Sequence, residues 1–98
     1  MTAKEMATEF LTTMNPELRN DGSTNFAIYE FELPDERFNL EVCFIEEDFD
    51  DEREFRTAID LVSKHSTTVD YTFAETMTDI DGIADGIQYL LDKYEVKA

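Results

Sequence analysis

Hydrophobic and polar residues alternate most clearly in two neighbouring segments of the chain, 26–33 and 38–45. A period of two residues is typical of a strand with one buried face. Residues 34–37 between them are turn formers, so the two segments are predicted to close as an antiparallel hairpin. The predicted core face of this hairpin carries eight apolar side chains: Ala27, Tyr29, Phe31, Leu33, Phe38, Leu40, Val42 and Phe44.

The opposite face of the predicted hairpin is divided between acidic and apolar residues. Near the turn, symmetric closure places Glu30 directly across from Glu41, and like charges in this arrangement mildly destabilise a sheet. Towards the open end the face turns apolar, and exposed apolar patches usually mark interfaces with a client or a second copy of the chain. The candidate apolar interface consists of Phe26, Ile28 and Ile45. The alternative is that the first helix or the loop at 15–25 covers it.

Three further segments have apolar residues at helical spacing, 3–14, 55–62 and 80–94. Thr2 is the expected N-cap of the first helix. A third strand is predicted where apolar residues alternate again, over 69–73. The element order is therefore α-β-β-α-β-α, although the pairing partner of the third strand stays open.

These elements predict a single α+β domain spanning residues 1–98. Its expected architecture is a small two-layer sandwich, in which helices pack on one face of a three-stranded, mainly antiparallel sheet. Eight Phe and four Tyr provide enough apolar area for a small core, which distinguishes the chain from a disordered acidic tail.

The net charge restricts the possible functions more than any sequence motif does. The chain has 24 acidic and 8 basic residues, a net charge of −16, and residues 30–54 alone carry a net charge of −10. Such a surface does not attract nucleic acid phosphates or an anionic membrane, so direct binding to either is excluded. No apolar run approaches the length of a membrane span, a single Cys leaves no internal disulfide, and the N-terminus lacks a signal-peptide pattern. A cytoplasmic location is expected.

Candidate chemistry is sparse. The acidic run at 46–54 does not match a calcium-binding EF-hand loop, because the sixth and twelfth positions counted from Asp48 are Arg53 and Ile59. Loose binding of divalent cations by the carboxylates is the remaining metal alternative. The acids of 46–54 are also expected to stabilise the N-terminus of the helix at 55–62. His65 is expected at the end of that helix, and acids around Cys43 are expected to raise the pKa of its thiol.

The sequence therefore predicts neither catalytic residues nor a cofactor, and it favours a non-catalytic acidic binding protein. Such a protein would occlude a basic, nucleic-acid-binding site on a partner protein, as DNA-mimic inhibitors do. Phage anti-restriction and anti-CRISPR proteins and toxin-immunity proteins are functional analogies. The candidate partner-binding residues are Glu30, Glu32, Glu41, Glu46, Glu47, Asp48, Asp50, Asp51 and Glu52.

Two other interpretations stay open. In the first, the negative charge only keeps the chain in solution. In the second, the chain is a small acidic chaperone or adaptor that binds a client through an exposed apolar sheet face. Bacterial secretion chaperones are similar in size, acidity and mixed α+β content, but they usually carry more strands than the three predicted here. A homodimer formed through the apolar interface is compatible with either function.

Overall fold

A computed structural model describes residues 1–14, 28–49, 52–65, 67–74 and 79–98. Within these ranges the chain forms two helices and four strands. They are α1 (Ala3–Met14), β1 (Tyr29–Phe31), β2 (Phe38–Phe49), β3 (Glu52–Ser63), β4 (Thr68–Ala74) and α2 (Ile80–Lys93). The strands form one antiparallel sheet in the order β1-β2-β3-β4. The predicted α+β class with an antiparallel sheet is confirmed, whereas the prediction of three helices and three strands is wrong.

The segment at 55–62 is the source of that error, because it belongs to strand β3 and not to a helix. Ala58 and Val62 lie on one face of the strand and Ile59 and Leu61 on the other, and all four are buried. A strand with apolar residues on both faces also satisfies helical spacing, so periodicity alone does not separate the two structures. The predicted third strand is β4, and it pairs with this misassigned segment.

The predicted hairpin between β1 and β2 is confirmed in its register. Tyr29 pairs with Val42 and Phe31 with Leu40, as symmetric closure requires. Strand β1 is shorter than predicted, with three residues, and β2 is longer and continues to Phe49. The core face of the hairpin therefore points as predicted.

Helix α1 begins with a reciprocal capping box. The Thr2 hydroxyl accepts a hydrogen bond from the Glu5 backbone N–H at 3.1 Å, and the Glu5 carboxylate accepts one from the Thr2 N–H at 2.9 Å. The expected N-cap is thus confirmed, and Glu5 completes it. Phe10 is fully buried and lies against Phe44 of the sheet, with ring centroids 4.8 Å apart.

Helix α2 packs closely on the sheet through Gly86. A Cβ atom at this position would lie 2.6 Å from Ile59 Cδ1 and 3.2 Å from Thr72 Cγ2, so a larger residue would force these side chains of β3 and β4 to shift. The helix begins at the N-cap Asp79, whose carboxylate accepts a hydrogen bond from the Gly82 N–H at 3.0 Å. Its inward residues are Ile83, Ile87, Leu90 and Leu91, all buried.

Both helices belong to one apolar core with the same face of the sheet. Because side chains alternate along a strand, the remaining strand residues point to the other face. We call this second face, which neither helix covers, the open face. Its members within the paired strands include Glu30, Asn39, Glu41, Cys43, Ile45, Arg56, Ala58, Asp60, Val62, Thr68, Tyr71 and Phe73, of which Ala58 and Val62 are buried. Neither helix has the length and apolar character needed to cross a membrane.

Candidate functional site

Three carboxylates lie side by side across the open face. Glu30 of β1 pairs with Glu41 of β2, and Glu41 pairs with Asp60 of β3. Neighbouring strands are about 4.8 Å apart, so the three side chains follow one another at roughly that interval. We call these three residues the carboxylate row. The Glu30–Glu41 pair confirms the sequence prediction, and Asp60 extends it to a third strand.

The carboxylate row is electrostatically unfavourable within the folded chain. Burial, and then the charges of Glu30 and Asp60, raise the pKa of Glu41 above its usual range. Burial also raises the pKa of Asp60. Both side chains are half-buried. The fold therefore keeps three like charges together at a cost in stability.

Glu30 is positioned by a polar network at the end of the row. The Asn39 side-chain amide donates a hydrogen bond to Glu30 Oε1 at 3.4 Å. Its carbonyl oxygen accepts hydrogen bonds from Lys64 Nζ at 2.6 Å and from the Leu33 N–H at 3.3 Å. Lys64 also donates to the Leu33 carbonyl at 2.9 Å. The network ties the end of β1 to β2 and to the β3–β4 turn, and it fixes the first carboxylate of the row.

Two aromatic residues continue the open face on β4. Tyr71 pairs with Asp60 and Phe73 pairs with Ala58. Their rings lie edge to face with centroids 5.4 Å apart, and the two residues are 58% and 41% exposed. Large aromatic side chains at alternating positions usually mark the buried face of a strand. In β4 it is the small Ala74 that is buried on the core face instead.

The aromatic pair and Asp60 are candidate site residues that the sequence analysis does not single out. The alternation of Tyr71 and Phe73 with polar Asp70 and Thr72 was available as a signal for a strand. The face of the sheet to which Tyr71 and Phe73 point depends on how β4 pairs with β3, and the sequence predicts a helix in place of β3. Asp60 lies within the same segment, so the helix prediction gives no indication that it would lie beside Glu41.

The candidate apolar interface is found only in part. Ile28 is 60% exposed, whereas Ile45 is half-buried, and Phe26 lies outside the described residues. Helix α1 does not cover this end of the sheet, because it packs in the core on the opposite face. Among the described residues, the exposed large apolar side chains are Ile28 just before β1 and Val69, Tyr71 and Phe73 on β4, together with Met1 and Tyr89 elsewhere.

The remaining predicted acidic residues do not precede a helix. Their run forms the arms of the β2–β3 hairpin, where the backbone pairs Glu47 with Glu54 and Asp48 with Arg53. The sequence predicts a favourable interaction between these acids and a helix dipole, and that prediction is wrong. Glu46, Glu47 and Asp48 lie on β2 and Glu52 on β3. Glu32 is exposed just after β1, and Asp50 and Asp51 lie outside the described residues.

The groups that could support catalysis are dispersed. His65 lies exposed in the turn between β3 and β4, so its predicted place at a helix end is wrong. Burial, and then the charges of Asp60 and Glu41, raise the pKa of the Cys43 thiol, as the sequence predicted. A thiol in this environment stays protonated near neutral pH. In the part of the chain that the structure describes, no three His, Cys, Asp or Glu side chains are grouped to hold a metal ion.

Comparison of the chain with protein-family models, curated proteins and solved structures finds no match.

Proposed function

We propose that this chain is a non-catalytic acidic binding protein that occludes a basic site on a partner protein through its open face. The observation that carries the proposal is the carboxylate row. Its three carboxylates lie side by side, and the pKa of two of them is raised. Charges held at a cost in stability are typical of functional sites.

Acidic residues continue beyond the carboxylate row along β2 and β3, and together they suit a basic protein site. A carboxylate every 4.8 Å is sparser than one strand of duplex DNA, which carries one phosphate per about 3.4 Å of axis. The row therefore does not by itself reproduce a nucleic acid. The arms of the β2–β3 hairpin, 46–49 and 52–55, add further acids to the same two strands that carry Glu41 and Asp60. A nucleic-acid-binding protein, whose binding site is rich in Lys and Arg, remains the partner class that we propose.

A second function, a small acidic chaperone or adaptor, is favoured by a different observation. Tyr71 and Phe73 on the open face are exposed, as is Ile28 just before β1, and a client could cover these side chains. The sheet also has four strands within the described residues, one more than the sequence predicted. In this alternative the apolar groups form the working surface, and the charge serves solubility.

One experiment separates the two functions. The protein is immobilised, exposed to host lysate, and eluted in steps of rising salt. The eluted partner is then purified and its nucleic acid binding is titrated with the protein. We expect elution at moderate salt and displacement of the nucleic acid, because interactions between exposed charges are screened.

Two matched variants assign the result to a surface. The row variant carries Glu30→Gln, Glu41→Gln and Asp60→Asn. The control variant loses the same three charges away from the open face, through Glu36→Gln, Asp81→Asn and Asp85→Asn. Loss of displacement in the row variant alone supports occlusion. Equal loss in both variants would mean that the acidic surface acts only through overall charge. Salt-resistant capture that Ile28→Ser abolishes would favour the chaperone.

A further inference from the structure

The carboxylate row ends against the aromatic pair on β4. Asp60 and Tyr71 are direct cross-strand partners, and the two aromatic rings are in edge-to-face contact. Paired side chains on one face of an antiparallel sheet have Cβ atoms about 4.5–5.5 Å apart. A carboxylate and two exposed rings are therefore within reach of a single bound group.

The chain already combines carboxylates and rings to hold cations at two other places. The Arg37 guanidinium lies 4.9 Å from the Phe38 ring centroid while it pairs with Asp35 at 3.1 Å. The second example lies next to the first, because the Phe38 and Tyr94 rings are in contact with centroids 6.0 Å apart. Lys93 Nζ lies 5.6 Å from the ring centroid of Tyr94 and 2.7 Å from an oxygen of Asp70. In the described residues, no such contact between a cation and a ring involves the β4 aromatic pair.

We propose that the open face at Asp60, Tyr71 and Phe73 docks an arginine side chain of a partner protein. This inference rests on the proposed function and specifies which basic side chain the surface recognises. The guanidinium would stack on the exposed rings and donate hydrogen bonds to the Asp60 carboxylate. Glu41, the next member of the row, adds negative charge beside it.

Charge complementarity decides between the candidate occupants of this face. A second copy would bring its own carboxylate row against this one, in a chain of net charge −16, so face-to-face pairing is unfavourable. A cationic segment instead neutralises the row. The half-buried Asp60 carboxylate has already lost part of its hydration, so it gains more from a paired cation than an exposed carboxylate does.

Arginine suits the surface better than lysine does. Its guanidinium is planar, stacks on aromatic faces and offers several donors to a carboxylate at once. The ammonium group of lysine is compact and strongly hydrated, so it is attracted to the carboxylates but interacts less favourably with the rings. Arg56 lies on the same face, paired with Ile45, two residues along β3 from the partner of Phe73.

Two blocked peptides of equal charge test the proposal, acetyl-Gly-Arg-Gly-Arg-Gly-amide and its lysine counterpart. Each is titrated into the protein at 0.15 M salt, and backbone NMR shifts give the affinity and the location of binding. We expect the arginine peptide to bind roughly 3-fold tighter, the size of an exposed cation–ring interaction. The largest shifts should lie on β3 and β4. The variant Tyr71→Leu/Phe73→Leu, which replaces exposed residues only, should keep its affinity for the lysine peptide and lose the preference for arginine.

Equal affinity of the intact protein for both peptides would overturn the inference, as would shifts that lie away from β3 and β4. Resonances of Tyr71 and Phe73 that move with protein concentration alone would also overturn it, because a second copy would then occupy the face. The variant Glu41→Gln/Asp60→Asn tests the proposed function separately. If this variant binds both peptides equally more weakly, and the intact protein shows no preference between them, only the arginine inference fails. If it changes neither affinity, the proposed function fails as well.

Discussion

Neutralising the centre of the carboxylate row should stabilise the protein. Glu41 lies between two other carboxylates, Glu30 on one side and Asp60 on the other. The substitution Glu41→Gln keeps the shape of the side chain and removes both repulsions. Most substitutions destabilise a protein, so an increase in stability from this one is a specific expectation.

The expected increase in the free energy of unfolding is about 1 kcal/mol. Cross-strand charge pairs in a sheet contribute roughly 0.2–1 kcal/mol each, and Glu41 takes part in two of them. For a domain of this length, 1 kcal/mol raises the melting temperature by about 4–8 °C. The matched control Glu36→Gln removes the same charge from an exposed loop position and should have a much smaller effect.

The pH dependence has a defined sign. Because the pKa of Glu41 is higher in the folded chain than in the unfolded one, the folded state binds more protons between these two values. Stability contributed by protonated Glu41 is therefore lost as the pH rises through that interval. Above the interval the penalty is fully present, and Glu41→Gln removes it.

Thermal unfolding followed by circular dichroism at low salt, at pH 5 and pH 8, measures both effects. We expect the gain from Glu41→Gln to be larger at pH 8 and to shrink in 1 M salt, which screens exposed charges. A melting temperature no higher than that of the unmodified protein, or an equal gain from Glu36→Gln, would refute the reasoning. The row would then carry no local repulsion.

Three further predictions concern the packing and chemistry around the row. Gly86→Ala should destabilise the fold by about 1–2 kcal/mol despite its better helix propensity, since its Cβ would lie 2.6 Å from Ile59 Cδ1. Adding Ile59→Val removes the Cδ1 atom, so the double variant should lose less stability in denaturant unfolding than the sum of the two single variants. Additive losses would contradict the close approach. Asp79→Ala should lower the free energy of unfolding by about 1 kcal/mol, because the N-cap of α2 is lost. An unchanged free energy of unfolding would contradict this role of Asp79. The Cys43 thiol should react with iodoacetamide more slowly than free cysteine at pH 8, and an equal rate would contradict its raised pKa.

Elements whose residues are buried on one side only could be predicted from the sequence. The β1–β2 hairpin, α1 and α2 each show a single clear period, and the hairpin register followed from its turn length. Glu30 opposite Glu41 was accessible for the same reason. These features depend on neighbours in the sequence, which a local pattern records.

Features that depend on distant pairing could not be predicted in this way. Strand β3 has buried apolar residues on both faces, so Ala58, Ile59 and Val62 matched a helix as well as a strand. Asp60 and Tyr71 meet only because β3 pairs with β4, and that pairing is absent from any local pattern. The site is formed by the sheet topology, and the sequence contained only its parts.

The central claim is that the carboxylate row attracts a basic partner. The most direct measurement is the association rate constant for the captured partner, compared between the unmodified protein, the row variant and the control variant at several salt concentrations. We expect the row variant to associate about 10-fold more slowly than the control variant at low salt, and the difference to shrink as salt rises. Equal association rates for the two variants, which carry the same net charge, would contradict the claim, because position on the open face would then not matter.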